Sequence, residues 1–162
     1  MNRAYIPKAK SDIHITPDRI WDIIQKKWGF KKNMFFDPCP INHTKDGLGI
    51  RWKKLNFVNP PYTLLREFVY YGIKEARFGK TSVFLLPSKT DQEWFHTLIQ
   101  YDYEIIWIRK RLKFKNNKHA SGQSHFLVMI DEQRKVKIPR KIIGNIMIRQ
   151  RMAIQPLAWL LW

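Results

Sequence analysis

Short apolar runs alternate with stretches of helical periodicity along the chain, and turn-forming residues separate them. Residues 1–13 read as an extended arm. Thr16, Pro17 and Asp18 then form a helix start: a hydroxyl N-cap, proline at the first helical position and an acid in the first turn. Ile20, Ile23, Ile24 and Trp28 follow at helical spacing, and Gly29 marks the stop. Met34-Phe35-Phe36 reads as a strand running into the loop Asp37-Pro38-Cys39-Pro40. Residues 41–54 are polar and rich in turn formers, Asn42, Asp46, Gly47 and Gly49 among them. The pattern next predicts a strand over 55–58, the loop Asn59-Pro60-Pro61-Tyr62, and a helix over 63–78 that buries Leu64, Leu65, Phe68, Val69 and Ile73. Gly79 ends that helix. A strand over 82–86 closes at Pro87, and a helix over 91–100, capped by Asp91, carries Trp94, Phe95, Leu98 and Ile99. A strand over 104–108 follows. Residues 112–115 and 126–130 pair as a hairpin around the polar loop 116–124, and residues 139–151 form a basic amphipathic helix.

Strands separated by helices imply an α/β sheet with covered faces and parallel order in its core. Ligands of such sheets sit at the carboxyl ends of the strands. Three predicted strands end there in distinctive loops: Asp37-Pro38-Cys39-Pro40, Asn59-Pro60-Pro61-Tyr62 and Pro87-Ser88-Lys89-Thr90-Asp91.

Charge narrows the partner. The 162 residues carry 30 Lys+Arg against 13 Asp+Glu, a formal net charge of +17. Residues 1–106 hold 17 basic and 11 acidic residues, and residues 107–162 hold 13 and 2. So steep a bias predicts a polyanionic partner facing the last third of the chain. Arg109, Lys110, Arg111, Lys113, Lys115 and Lys118 are its densest run and the expected phosphate contacts. Asn116, Asn117, His119, Ser121 and Gln123 follow in a loop suited to base edges. A single cysteine excludes an internal disulfide framework. The five histidines have no metal-ligand spacing, so no metal site is expected. No signal peptide is expected at the basic start, and the apolar run 152–162 is too short to span a bilayer. That run is expected to dock on the domain or on a second copy in a homodimer.

The loop Asn59-Pro60-Pro61-Tyr62 carries the chemistry. Two prolines stop a sheet ladder and stiffen the chain, which holds the Asn59 and Pro60 carbonyls in a fixed geometry. Two fixed acceptors suit a planar amino group with two N–H donors. Accepting both hydrogens favours methylation of that amine, because positive charge develops on nitrogen in the transition state. Tyr62 is placed to stack on the attached ring.

With these residues the chain resembles the amino-group methyltransferases, and more closely the small phage- and virus-type DNA N6-adenine methyltransferases of the Dam group. The resemblance runs over about residues 12–130. It rests on Thr16-Pro17, Phe36-Asp37-Pro38-Cys39-Pro40 with Asn42, Asp46-Gly47-Leu48, Trp52, and Asn56 through Tyr62. It continues through Gly79-Lys80-Thr81, Leu85-Leu86-Pro87, Thr90-Asp91, Trp94-Phe95-His96 and Arg111-Leu112-Lys113-Phe114.

The resemblance implies a Rossmann-like class I methyltransferase domain over residues 1–130, with a C-terminal extension over 131–162. It implies S-adenosylmethionine as methyl donor, DNA as partner and direct transfer to adenine N6. Asn59, Pro60, Pro61 and Tyr62 become the target-amine site. Asp37, Pro38, Cys39 and Asp46 become the donor-binding residues, with Thr16 and Pro17 closing over the donor's methionine end. A virus-encoded protein in the cytoplasm of a prokaryotic host is implied as well.

Departures accompany it. The glycine-rich turn that follows Asp-Pro in larger relatives is replaced by Pro40-Ile41-Asn42, and only 21 residues separate Asp37 from Asn59. A trimmed, mixed sheet and an abbreviated donor pocket are therefore expected. Lys110 stands where small relatives usually carry glycine. Pro38-Cys39 is also the setting of the nucleophile in cytosine-C5 methyltransferases, but the Asn-Pro-Pro-Tyr site argues for transfer without a covalent step. The alternatives are amino-group methylation of RNA and a non-catalytic nucleic-acid-binding module.

Overall fold

The computed structural model describes residues 14–40, 46–134, 140–143 and 146–149. The arm 1–13, Asn42, His43 and the apolar run at the C-terminus lie outside the described residues. Helix α1 spans Asp18–Trp28 and ends on Gly29, whose φ of 78° is the left-handed conformation that only glycine adopts without strain. Pro17, expected as its first residue, stands one position earlier, at the N-cap. Its carbonyl accepts the Ile20 N–H at 3.1 Å. No side chain caps the helix, so Thr16 is not the expected cap.

The remaining main-body elements are β1 (Leu55–Val58), α2 (Leu65–Ala76), β2 (Thr81–Pro87), α3 (Glu93–Gln100), β3 (Glu104–Trp107) and β4 (His125–Ile130). The strands form one mixed sheet in the order β1-β2-β4-β3. β1 and β2 are parallel, and β4 runs antiparallel to both β2 and β3. β3 therefore points the same way as β1 and β2. The sheet has one helical layer on each face. Phe68, Val69 and Ile73 of α2 and Trp94, Phe95 and Leu98 of α3 pack on one face. Ile20 and Ile24 of α1, with Ile108, Leu112 and Phe114, pack on the other. α2 lies close against β2: a Cβ on Gly72 would stand 2.6 Å from the Phe84 ring, so no larger residue fits there without a shift.

Five further expectations need correction. The core of the sheet is not parallel: its two inner strands, β2 and β4, run antiparallel, because no helix separates β3 from β4 and the chain doubles back there. Met34-Phe35-Phe36 is not a strand. Lys32–Met34 is a 3-10 turn, and only Phe36 reaches the sheet, as a single parallel bridge to Asn56. Residues 112–115 do not pair with 126–130. Every residue of β4 is buried, which suits an inner strand with neighbours on both sides, and β2 and β3 take those places. Residues 112–115 instead bond outside the sheet, with the Lys115 N–H donating to the Ile15 carbonyl at 3.0 Å. The Asp91 carboxylate accepts a bond from the Gln92 amide, and Gln92 holds the cap position of α3. Residues 140–143 and 146–149 form an antiparallel pair, β5 (Arg140–Ile143) and β6 (Ile146–Arg149), in place of the basic helix. Two of the four residues in each strand are β-branched isoleucine, which a pleated strand accommodates better than a helix.

Lys110 adopts φ 64°, a left-handed conformation that costs a side-chain-bearing residue about 1–2 kcal/mol. Glycine removes that cost and adds some unfolded-chain entropy. Lys110→Gly is therefore expected to stabilise the fold by about 0.5–1 kcal/mol, read as a higher urea midpoint at unchanged slope. A lower midpoint would refute the strain argument.

Candidate active site

Parallel pairing brings the predicted loops to one edge. The Phe36 bridge, β1 and β2 all end there, β3 ends there too, and antiparallel β4 begins there. Asp37, Asn59, Ser88 and His125 are thus neighbours along one rim of the sheet.

Asn59 is fixed by its amide nitrogen. Nδ2 donates to the His14 carbonyl at 2.7 Å and to Thr16 Oγ1 at 3.3 Å. Both N–H groups are used on the segment leading into α1, so Oδ1 is what this side chain offers a ligand. Pro60 and Pro61 are buried, and the Pro61 carbonyl accepts the Leu64 N–H at 3.0 Å to open the turn into α2.

The Asp37 loop lies against Asn59. Asp37 Oδ1 accepts the Cys39 N–H at 2.8 Å, which closes a tight turn. The Asn59 backbone in turn bonds to the Cys39 sulfur. Burial pushes the Cys39 thiol well above its usual range, and the Asp37 carboxylate adds to the rise. A thiol held protonated is a poor nucleophile, in keeping with transfer without a covalent step. Gly47 touches the Pro38 carbonyl, so the turn that follows Asp46 packs directly on the Asp37 loop. Asp46 Oδ1 accepts the Leu48 N–H at 2.9 Å. Trp52 anchors that turn: its Nε1 donates to the Gly47 carbonyl at 2.8 Å and its backbone N–H to buried Glu75 of α2 at 3.2 Å. Thr16, Asp37, Pro38, Cys39 and Asn59 are therefore linked by direct contacts, Asp46 joins them through its chain neighbour Gly47, and Pro17 enters through the backbone of α1.

Tyr62 sits in a cluster that the motif does not reveal. Its hydroxyl is 2.8 Å from Nε2 of His125. Its ring lies 4.7 Å from that of His14, and His14 stacks on Phe114 at 4.4 Å. His125 is fully buried at the start of β4. Burial pushes its pKa down to about 4, partly offset by the Gln123 backbone and reinforced by His14. The ring is neutral near pH 7. Tyr62 also borders two openings. One is a groove of about 450 Å³ with His14, Phe114, Asn116, Asn117 and Lys118 in its wall. The other, of about 310 Å³, is lined by Thr63, Arg66, Lys89, Gln92 and Trp94.

The basic run borders the same rim. Arg109, Lys110, Arg111, Lys113, Lys115 and Lys118 are exposed, while Leu112 and Phe114 between them are buried, so the expected alternation exists without a strand ladder. Lys115 is partly committed: its Nζ lies 2.7 Å from Asp18. Among the described residues, no cluster of three or more His, Cys, Asp or Glu could hold a metal. No described helix is long and apolar enough to cross a membrane.

A family model described as DNA N-6-adenine-methyltransferase (Dam) matches residues 3–155. No curated protein matches the chain. No solved structure matches it either.

Proposed function

Because the chain belongs to the DNA N-6-adenine-methyltransferase (Dam) family, we propose that it transfers a methyl group from S-adenosylmethionine to N6 of adenine in DNA. The observation that carries this reading is the double anchoring of Asn59, which leaves its Oδ1 as a fixed acceptor one residue before the Pro60 carbonyl in the chain. The two oxygens accept both hydrogens of the adenine amine. This localises the nitrogen lone pair and stabilises the positive charge that grows on N6. Tyr62 supports the ring of a base that has left the duplex, and one of its two openings admits that base.

The donor site is the linked set around Asp37. The carboxylates of Asp37 and Asp46 suit the hydroxyl and amino groups of S-adenosylmethionine, and the Cys39–Asn59 contact sets that loop against the target amine. Thr16 closes the site from the α1 side. When bound, S-adenosylmethionine would supply an electrophilic methyl group on a sulfonium, which N6 would take as the carbon–sulfur bond breaks before giving up a proton to water.

The sheet supports a trimmed Rossmann-like class I domain, with Phe36, β1, β2 and β3 parallel and β4 reversed between the last two. Residues 1–130 would form that domain and residues 131–162 its extension. Arg109, Lys110, Arg111, Lys113 and Lys118 hold phosphates, and Lys115 does so by leaving Asp18. Sequence choice comes from loops 41–54, 87–92 and 116–124, so the recognised site is short or relaxed.

Methyl transfer from labelled donor to unmethylated DNA, followed by digestion to nucleosides, tests the reading. Label in N6-methyladenosine is the expected result. Label in RNA alone would replace the substrate. No transfer to any nucleic acid by folded, DNA-binding protein would replace catalysis with binding.

A further inference from the structure

Trp107 has no part in the site described above. It ends β3, on the rim shared by Asn59 and His125, and its side chain is 58% exposed. One side of its ring rests on Phe126 at 5.4 Å and on Phe95 at 6.3 Å, which fixes its direction. A held, exposed indole at a sheet edge offers an aromatic face to a partner, and charge indicates which kind. Between Glu104 and Asp131 the sequence has six Lys or Arg and no Asp or Glu. Glu104 itself is tied to Trp28 at 2.7 Å and to Lys27 at 2.9 Å. Exposed Lys110 and Arg111 follow the indole within four residues of chain, while Phe95, on which it rests, lies two residues from exposed Glu93, a carboxylate that Arg66 approaches to 3.8 Å.

Resting on the proposed DNA methyltransferase reading, we propose that Trp107 stacks on a nucleobase of the bound DNA, outside the methylation pocket. An aromatic face beside cations is the arrangement that binds unstacked bases without reading sequence. β3 lies three strand intervals from β1, roughly 14 Å at about 4.8 Å each. At about 3.4 Å per base step that is a few nucleotides from the base held at Asn59. Extruding the target base disturbs stacking in its neighbourhood, and the indole covers a face exposed there.

The test is fluorescence anisotropy of dye-labelled DNA with the full chain, at several salt concentrations. Trp107→Ala should weaken binding about tenfold while the slope of log affinity on log salt stays at the wild-type value. Trp107→Phe should restore most of the affinity. Arg111→Ala should lower the slope by about one, separating a phosphate contact from a stacking contact. Wild-type affinity in Trp107→Ala would overturn the inference and leave the methyltransferase reading intact. So would sedimentation showing that the substitution splits a dimer while DNA affinity per protomer holds, since a second copy would then cover the indole. A melting temperature lowered in Trp107→Ala, with DNA affinity unchanged, would assign the ring to packing and overturn it too. A wild-type protein without affinity for DNA would overturn both readings together.

Discussion

Asn59→Ala is expected to lower the rate of methyl transfer to DNA by about 10²–10³-fold, the scale found when one fixed polar group aimed at a developing charge is removed. The argument rests on where the side chain is held. Nδ2 bonds to Thr16 Oγ1 and to the His14 carbonyl, and that carbonyl cannot move without moving the lead-in to α1. Oδ1 is thus oriented before substrate arrives, and no energy is spent on turning it during the reaction. Alanine removes the acceptor and leaves two chain acceptors without a donor, which costs about 1 kcal/mol of stability for each. Asn59→Asp keeps an acceptor and can accept from the Thr16 hydroxyl but loses the bond to the His14 carbonyl, so its rate should fall between wild type and alanine. DNA affinity, dominated by phosphate contacts, should change little in either variant. Single-turnover methylation with saturating DNA measures the effect. A rate within threefold of wild type in Asn59→Ala would remove this residue from the chemistry.

The residues that sequence reading located share one property: their signal is local. The strand over 55–58 was bounded correctly because Asn59-Pro60-Pro61 must end it. Gly29 was read correctly because a left-handed stop leaves a glycine behind. Distance along the chain hid the rest. β4 pairs with β2 and β3, its nearest register partners lying 19 or more positions away, so the nearer segment 112–115 resembles its hairpin mate. Phe36 shows an apolar run but contributes one bridge, because whether a short run becomes a strand depends on the neighbour it meets. The same contrast holds in the site. The Asn59-Pro60-Pro61-Tyr62 loop announces itself, whereas His14 and His125 are 48 and 63 residues from Tyr62 and follow no spacing. A chain reading could weigh those two histidines only as possible metal ligands. Lys110 stood out because glycine is usual there in small relatives, and its positive φ supplies the physical reason for that glycine.

Stability of the wild-type protein should fall as pH drops from about 6.5 toward 4, and His125→Gln should remove most of that fall. The imidazole is fully buried, its pKa pushed down to about 4 from an unfolded value near 6.5. A depressed base stabilises the fold fully above its unfolded pKa. Below that value the unfolded chain takes up a proton that the folded chain refuses, so stability declines until the folded pKa is reached. About 2.5 pH units of separation correspond to roughly 3 kcal/mol at most. The carboxylates titrate in both proteins and cancel in the comparison, as do the other histidines apart from His14, the neighbour that pushes His125 down. Urea midpoints at pH 7.5, 5.5 and 4.5 give the two curves, and curves that stay parallel would sink the assignment. The same substitution reaches the active site. A neutral ring keeps an uncharged nitrogen at Nε2 beside the Tyr62 hydroxyl, whereas a charged ring would bring an unpaired cation into the core. Glutamine preserves a polar partner for that hydroxyl and leucine does not. Methyl transfer should therefore survive His125→Gln within a fewfold and fall about tenfold in His125→Leu, as it should in Tyr62→Phe. The double variant Tyr62→Phe/His125→Leu should be no slower than the slower single one, because both substitutions break one and the same contact.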